Sequence, residues 1–202
     1  MSEKNLTQQE SMAIIQRMIS TAKQEQKDDG IGWILWGWLL FATSLFSYFN
    51  INYHWVSEYF FWNLFGILSI VLMLGSMIKN LLGKRTKKVK TYTGELFKKL
   101  NVGFFFVLMI LIISMNTGLN INKGFALLLG LYGFWILIYG TIFDFRPSTI
   151  GAFFTWGFSI AGLFTKDYGT IMLLHGGGVL VGYIIPGHWA LYEYKKANKA
   201  GY

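Results

Sequence analysis

Residues 83–99 read GKRTKKVKTYTGELFKK, seven Lys or Arg against one acid, with long apolar runs on both sides. Cytoplasmic loops of membrane proteins are enriched in Lys and Arg, so a segment of this kind between apolar runs is first a topological anchor. Lys84, Arg85, Lys87, Lys88 and Lys90 are its densest part. They mark which side of a bilayer faces inward.

Composition puts the rest of the chain in lipid. Of 202 residues, 53% are hydrophobic and 18% aromatic, while only 14% are charged, a balance that suits a bilayer better than water. The net charge of +8 comes from short clusters beside apolar runs, where anionic lipid headgroups are the nearest partner. No basic face backed by a soluble core can be drawn, which argues against nucleic acid. With no cysteine in the sequence, disulfides, thiolate metal sites and iron–sulfur clusters are excluded. About thirty polar, acid-containing residues precede the first apolar run. That run is therefore expected to remain as a span rather than to be removed as a leader.

Six apolar runs follow, at 31–49, 59–78, 100–119, 124–143, 148–165 and 168–185, and none contains Asp, Glu, Lys or Arg. About 20 residues cross the hydrocarbon layer, and one ionised side chain at the centre of a span costs about 2.5–3.5 kcal/mol, so all six qualify. With the amino terminus inside, sixteen of the 18 Lys and Arg fall on inner segments and only Lys123 and Lys166 outside. Dropping one span would move Lys195, Lys196 and Lys199 to the outer side. Arg146, in the short inner turn with Asp144, joins the basic loop as an anchor. The expected architecture is all-α, a polytopic membrane helix bundle with both termini cytoplasmic.

Before the spans, residues 1–30 form a polar tail with one amphipathic helix. Thr7-Gln8-Gln9-Glu10 fits a capping box, and Met12, Ile14, Ile15, Met18, Ile19 and Ala22 share one side of a 3.6-residue period. Such a helix lies on the cytoplasmic membrane surface or meets a second copy or a membrane partner. Residues 31–191 hold the spans, and 192–202 a cytoplasmic tail.

Local signals fill in the bundle. Trp33, Trp55, Trp62 and Trp189 fall near interfaces, where an indole buries its ring and keeps its N–H wet. Pro147 marks the start of the fifth helix, and Pro186-Gly187 is expected to kink or end the sixth, leaving 188–194 as an interfacial aromatic segment. Gly178-xxx-Gly182, Gly157-xxx-Ala161 and Gly130-xx-Gly133 supply close helix seams, since association in lipid depends on backbone approach at small residues. Trp36-Gly37-Trp38 and Trp156-Gly157-Phe158 are a weak internal echo.

Chemistry is sparse. His54, His175 and His188 are the only histidines, and haem or another metal cofactor would need two imidazoles at one depth, so none is expected. Ser159 and His175 fall at similar depth, about 10 Å in from the outer ends of adjacent helices, where a serine–histidine dyad would fit. Asn63, Asn116, His175 and Gly177 are the residues from which a polar seam for a small solute would be built. Without an ionisable residue among the spans apart from His175, coupled transport is disfavoured. The favoured function is a non-enzymatic membrane scaffold or regulatory partner. A small-solute permease or channel is the alternative, and an intramembrane serine protease a third.

Two resemblances bear on these expectations. The glycine spacing after His175 resembles that of the rhomboid intramembrane proteases, which imply six spans and a serine activated by histidine; here Ile160 follows the serine and Tyr59 stands where a second histidine is expected. Gln9-Glu10-Ser11, Trp36-Gly37-Trp38, Lys90-Thr91-Tyr92-Thr93, Phe145-Arg146-Pro147 and Ile184-Ile185-Pro186-Gly187, spread over the chain, resemble a family of uncharacterised small inner-membrane proteins of Bacteroidetes-type bacteria. That likeness implies six spans and an inner-membrane address, and it carries no activity.

Overall fold

The computed structural model describes residues 9, 10, 12, 14, 30–82 and 92–200. Of the amphipathic helix only Gln9, Glu10, Met12 and Ile14 are among them, helical and exposed, while Thr7, the rest of the apolar stripe and the anchors Lys84, Arg85, Lys87, Lys88 and Lys90 lie outside.

Every regular element among the described residues is helical: α1 Ile31–Tyr53, α2 Phe60–Leu82, α3 Tyr92–Thr117, α4 Ile121–Ile142, α5 Arg146–Leu163, α6 Tyr168–Val179 and α7 Ile185–Ala200. A five-residue π-turn, Leu180–Ile184, joins α6 to α7 without a break. Four stretches are long and apolar enough to cross a membrane: Ile31–Tyr53, Gly94–Thr117, Ile121–Ile142 and the continuous Tyr168–Lys196. The molecule is thus an all-helical bundle whose long apolar helices are compatible with a membrane.

Short connections make α1 and α2, α3 and α4, α4 and α5, and α5 and α6 antiparallel neighbours. The α4–α5 pair shows how closely: a Cβ added to Gly130, Gly133 or Gly140 would meet Ser159, Trp156 or Thr149 in turn, and one on Gly162 would meet Ala126. Partner numbers fall on one side as they rise on the other, so the two helices run in one antiparallel register along their length. Trp156 Nε1 donates to the Gly130 carbonyl at 3.0 Å and Ser159 Oγ to that of Ala126 at 2.8 Å, tying the seam at two heights. α1 runs antiparallel to α6 in the same way, from Gly30 against Gly187 to Ile51 against Gly169.

The core sits among α1, α4, α5 and α6, around Leu129, Ile136, Ile171, Met172 and Val179, all fully enclosed. Lipid is as apolar as these side chains, so their packing, and not exclusion from water, holds the helices together. α2 rests on α1 through Phe46 against Phe61, and α3 on α4 through Phe97 and Phe104 against Trp135.

Several expectations are corrected. Helix α3 begins at Tyr92, so Lys98 and Lys99 of the basic segment stand on its first turns. Arg146 opens α5, with Phe145 as its cap residue and Pro147 in the first turn. Pro186 does not end the sixth helix. It has no N–H to give and crowds the carbonyl four residues back; the chain absorbs this by widening to a π-turn, in which Ile185 N–H bonds Leu180 O instead of Val181 O. The Val181 carbonyl lies against Gly151, whose absent Cβ would sit 2.8 Å from it. Residues 188–194 accordingly continue as helix α7. Gly157-xxx-Ala161 faces outward, for nothing lies within 4 Å of a Cβ on Gly157. Gly37, its counterpart in the echo, packs against Tyr183 and Ile184.

Candidate functional site

Helix α1 carries a stripe of polar residues at three-residue spacing, Ser44, Ser47 and Asn50, all buried. That spacing puts them close to one face of the helix, which the antiparallel register turns onto α6. Opposite Ser44 stands His175, fully enclosed, with Nδ1 2.8 Å from Ser44 Oγ. Ser44 Oγ is also 2.8 Å from the Leu40 carbonyl, the usual back-bond of a serine in a span.

One proton assignment follows from the network. A serine hydroxyl has one hydrogen, and a carbonyl can only accept. With that hydrogen on Leu40 O, His175 carries its proton on Nδ1 and donates it to Ser44 Oγ. Nε2 is then a bare lone pair, and it has no hydrogen-bond partner among the described residues. Three rings surround the imidazole: Trp62 from α2 at 5.2 Å, and Phe125 and Tyr132 from α4 at 5.8 Å, all near edge-to-face. Trp62 gives its own N–H to Met172 Sδ at 3.3 Å. An indole expected at the headgroups is thus turned into the bundle.

Ser159 and His175 do not meet. They share a depth, yet Ser159 points to α4, where its hydroxyl bonds Ala126 O, and the imidazole points to α1. Asn63 is exposed on α2. Asn116 is exposed on α3, its amide returned to Ile112 O at 2.7 Å. Gly177 lies against the Phe158 ring, 3.0 Å from where a Cβ would stand. The residues from which a solute path was to be built are therefore not gathered around one opening. His54 caps α1 in a left-handed conformation and His188 lies exposed on α7. No three metal-ligating side chains come together among the described residues.

The rim of the bundle around Asn120 and Asp167 carries its own polar order. Asn120 caps α4, accepting from the N–H groups of Asn122 and Lys123, and Asn122 Nδ2 donates to the Lys166 carbonyl at 2.7 Å, fastening α4 to the α5–α6 connection. Asp167 caps α6. The Thr170 backbone N–H at 2.6 Å, and then its hydroxyl at 2.8 Å, hold that carboxyl below the ordinary carboxylate range. Asn50 reaches the loop between α1 and α2, pairing with both the N–H and the carbonyl of Val56.

Sequence reasoning passed over Ser44, Ser47 and Trp62 as site residues, although polar residues three apart in an apolar run are a usable signal. No family model, curated protein or solved structure matches the chain.

Proposed function

We infer that this chain is a multi-pass integral membrane protein with six crossings, both termini cytoplasmic, acting as a non-enzymatic scaffold or regulatory partner in the inner membrane. One observation carries it: the Ser159 hydroxyl is held by Ala126 O, away from His175, and Asn63 and Asn116 turn outward. A nucleophile needs a free hydroxyl beside a base, and a permease needs converging polar groups around an opening.

The register supports a reading of six crossings, beyond the four long apolar helices alone. α5 has 18 residues, about 27 Å of helix, and is locked along α4, which is one of the four, so it occupies the same depth. α2, apolar over Phe60–Leu72, lies antiparallel on α1, and Trp62 reaches His175 well inside the bundle. The charge bias then orients the whole.

The test is reconstitution. Proteoliposomes of the full chain are expected to pass small neutral solutes no faster than empty vesicles in stopped-flow light scattering, and cross-linking in membranes to trap the chain in a larger assembly. Solute flux above the vesicle background would replace the scaffold by the permease.

A further inference from the structure

The bundle leaves four buried polar atoms without hydrogen-bond partners along one line in its outer half. Asn122 Oδ1 lies beside the α5–α6 connection; Tyr168 Oη follows at the first residue of α6; Ser47 Oγ faces that phenol from α1; His175 Nε2 lies two turns further in. Asn122, Ser47 and His175 are 5%, 1% and 0% exposed, so neither bulk water nor lipid headgroups reach them directly. The line is about 10 Å long, seven residues of α6.

We propose that this seam between α1, α4 and α6 is a binding site for internal water, a short file running from the outer rim at Asn122 and Tyr168 past Ser47 to His175. Leaving a buried donor or acceptor unmade costs about 1–3 kcal/mol; the Ser47 and Tyr168 hydroxyls face each other and share part of that cost, while Asn122 Oδ1 and His175 Nε2 bear it in full. Each atom asks for the same kind of partner. Asn122 Oδ1 and His175 Nε2 need a donor, whereas the two hydroxyls can give or take, and water serves all four. Buried water makes about three bonds to such groups. The N–H of Trp62, whose ring stands 5.2 Å from the imidazole, is already on Met172. A file ending at Nε2 would keep a histidine deep in the membrane in contact with the outer solution, which no other described side chain achieves. The scaffold reading neither requires nor forbids this, so failure of one leaves the other standing.

Radiolytic hydroxyl-radical labelling in ¹⁸O water, on the full chain in nanodiscs, tests the file, because a buried side chain oxidises only where a bound water is split beside it. Tyr168 and Met172 are expected to take up ¹⁸O at exposures that label the open Tyr53 and Trp55. Ser47→Val, which removes one partner and fills its space, should cut the Met172 signal at least about threefold and leave Trp189, on α7, unchanged. The proposal is overturned if Met172 stays unlabelled while Tyr53 and Trp55 oxidise, or if Ser47→Val leaves its labelling intact. Should the Trp189 signal show that Ser47→Val has not folded, the wild-type labelling alone decides.

Discussion

Ser44 joins two helices by accepting the Nδ1–H of His175 while its own hydrogen stays on Leu40 O, and its removal isolates that Nδ1–H, which no other described acceptor bonds. Ser44→Ala is expected to cost about 1–3 kcal/mol, read as a shift in the denaturant unfolding midpoint in detergent. The assignment of the proton has a direct check, since ¹⁵N spectra of labelled protein should show a protonated Nδ1 and an unprotonated Nε2. Ser159→Ala, by contrast, removes one interhelical bond to Ala126 O and should cost about 0.5–2 kcal/mol; a fluorophosphonate should leave the wild-type serine unmodified. The dyad suggested by residue counting fails for a reason that lies in helix geometry. Counting residues from the ends gives depth at 1.5 Å each, but direction turns by about 100° per residue, and Ser159 and His175 share only the first. Asp167 answers to pH. Its folded carboxyl titrates below the ordinary range because Thr170 stabilises the charged form, so its contribution to α6 is full above about pH 4 and is lost as pH falls through the lower folded value. The gap in melting temperature between wild type and Asp167→Ala should close as the solution is taken from neutral to strongly acid.

Glycine positions separate at the scale of the helix. A Cβ on Gly182 would collide with Thr155 Oγ1 and stand 2.6 Å from Ile136 Cδ1, with packed neighbours on both sides. Gly182→Ala is therefore expected to destabilise by about 1–3 kcal/mol. At Gly157 and Gly66 nothing lies within 4 Å, and Ala there should be neutral or stabilising by up to about 1 kcal/mol, which the same unfolding curves would show. The sequence marks both kinds alike, as small residues three or four apart, and the Gly178 seam was legible for that reason. Which row faces inward was not, because in lipid the outer face of a helix is as apolar as its inner one, and no polar side stands opposite the core to give it away. The same blindness hid the run-through at Pro186. A proline ends a helix when α geometry is kept, but the open Gly151 on α5 gives α6 and α7 room for one wider turn, and the Thr155 hydroxyl steadies it from 3.1 Å at Gly178 O. Helix existence and order, by contrast, were plain from the apolar runs, since their length against the bilayer leaves little choice.

Across the whole molecule, register and charge predict the same topology by different routes, and reporter fusions separate them. Fusions after Lys90 and after Lys199 are expected to report cytoplasm, and one after Lys166 the opposite side. Suppose the carboxyl end reported outside. Then one helix would fail to cross, and α5 is the candidate, the shortest of the first five. Yet Ser159 to Ala126, Trp156 to Gly130 and Thr149 beside Gly140 fix α5 against α4 from one end to the other, so α5 cannot leave the layer without α4. A contrary reading would therefore dismantle the packed core as well as the orientation. Orientation alone can be loosened without touching the core. Replacing Lys84, Arg85, Lys87, Lys88 and Lys90 with Gln removes the largest cluster on the proposed inner side and should produce a mixed population in the fusion assay, whereas Lys123→Gln with Lys166→Gln, on the proposed outer side, should sharpen the native one. Both variants should unfold like the wild type, because the enclosed core around Leu129, Ile136, Ile171 and Val179 is built from other side chains.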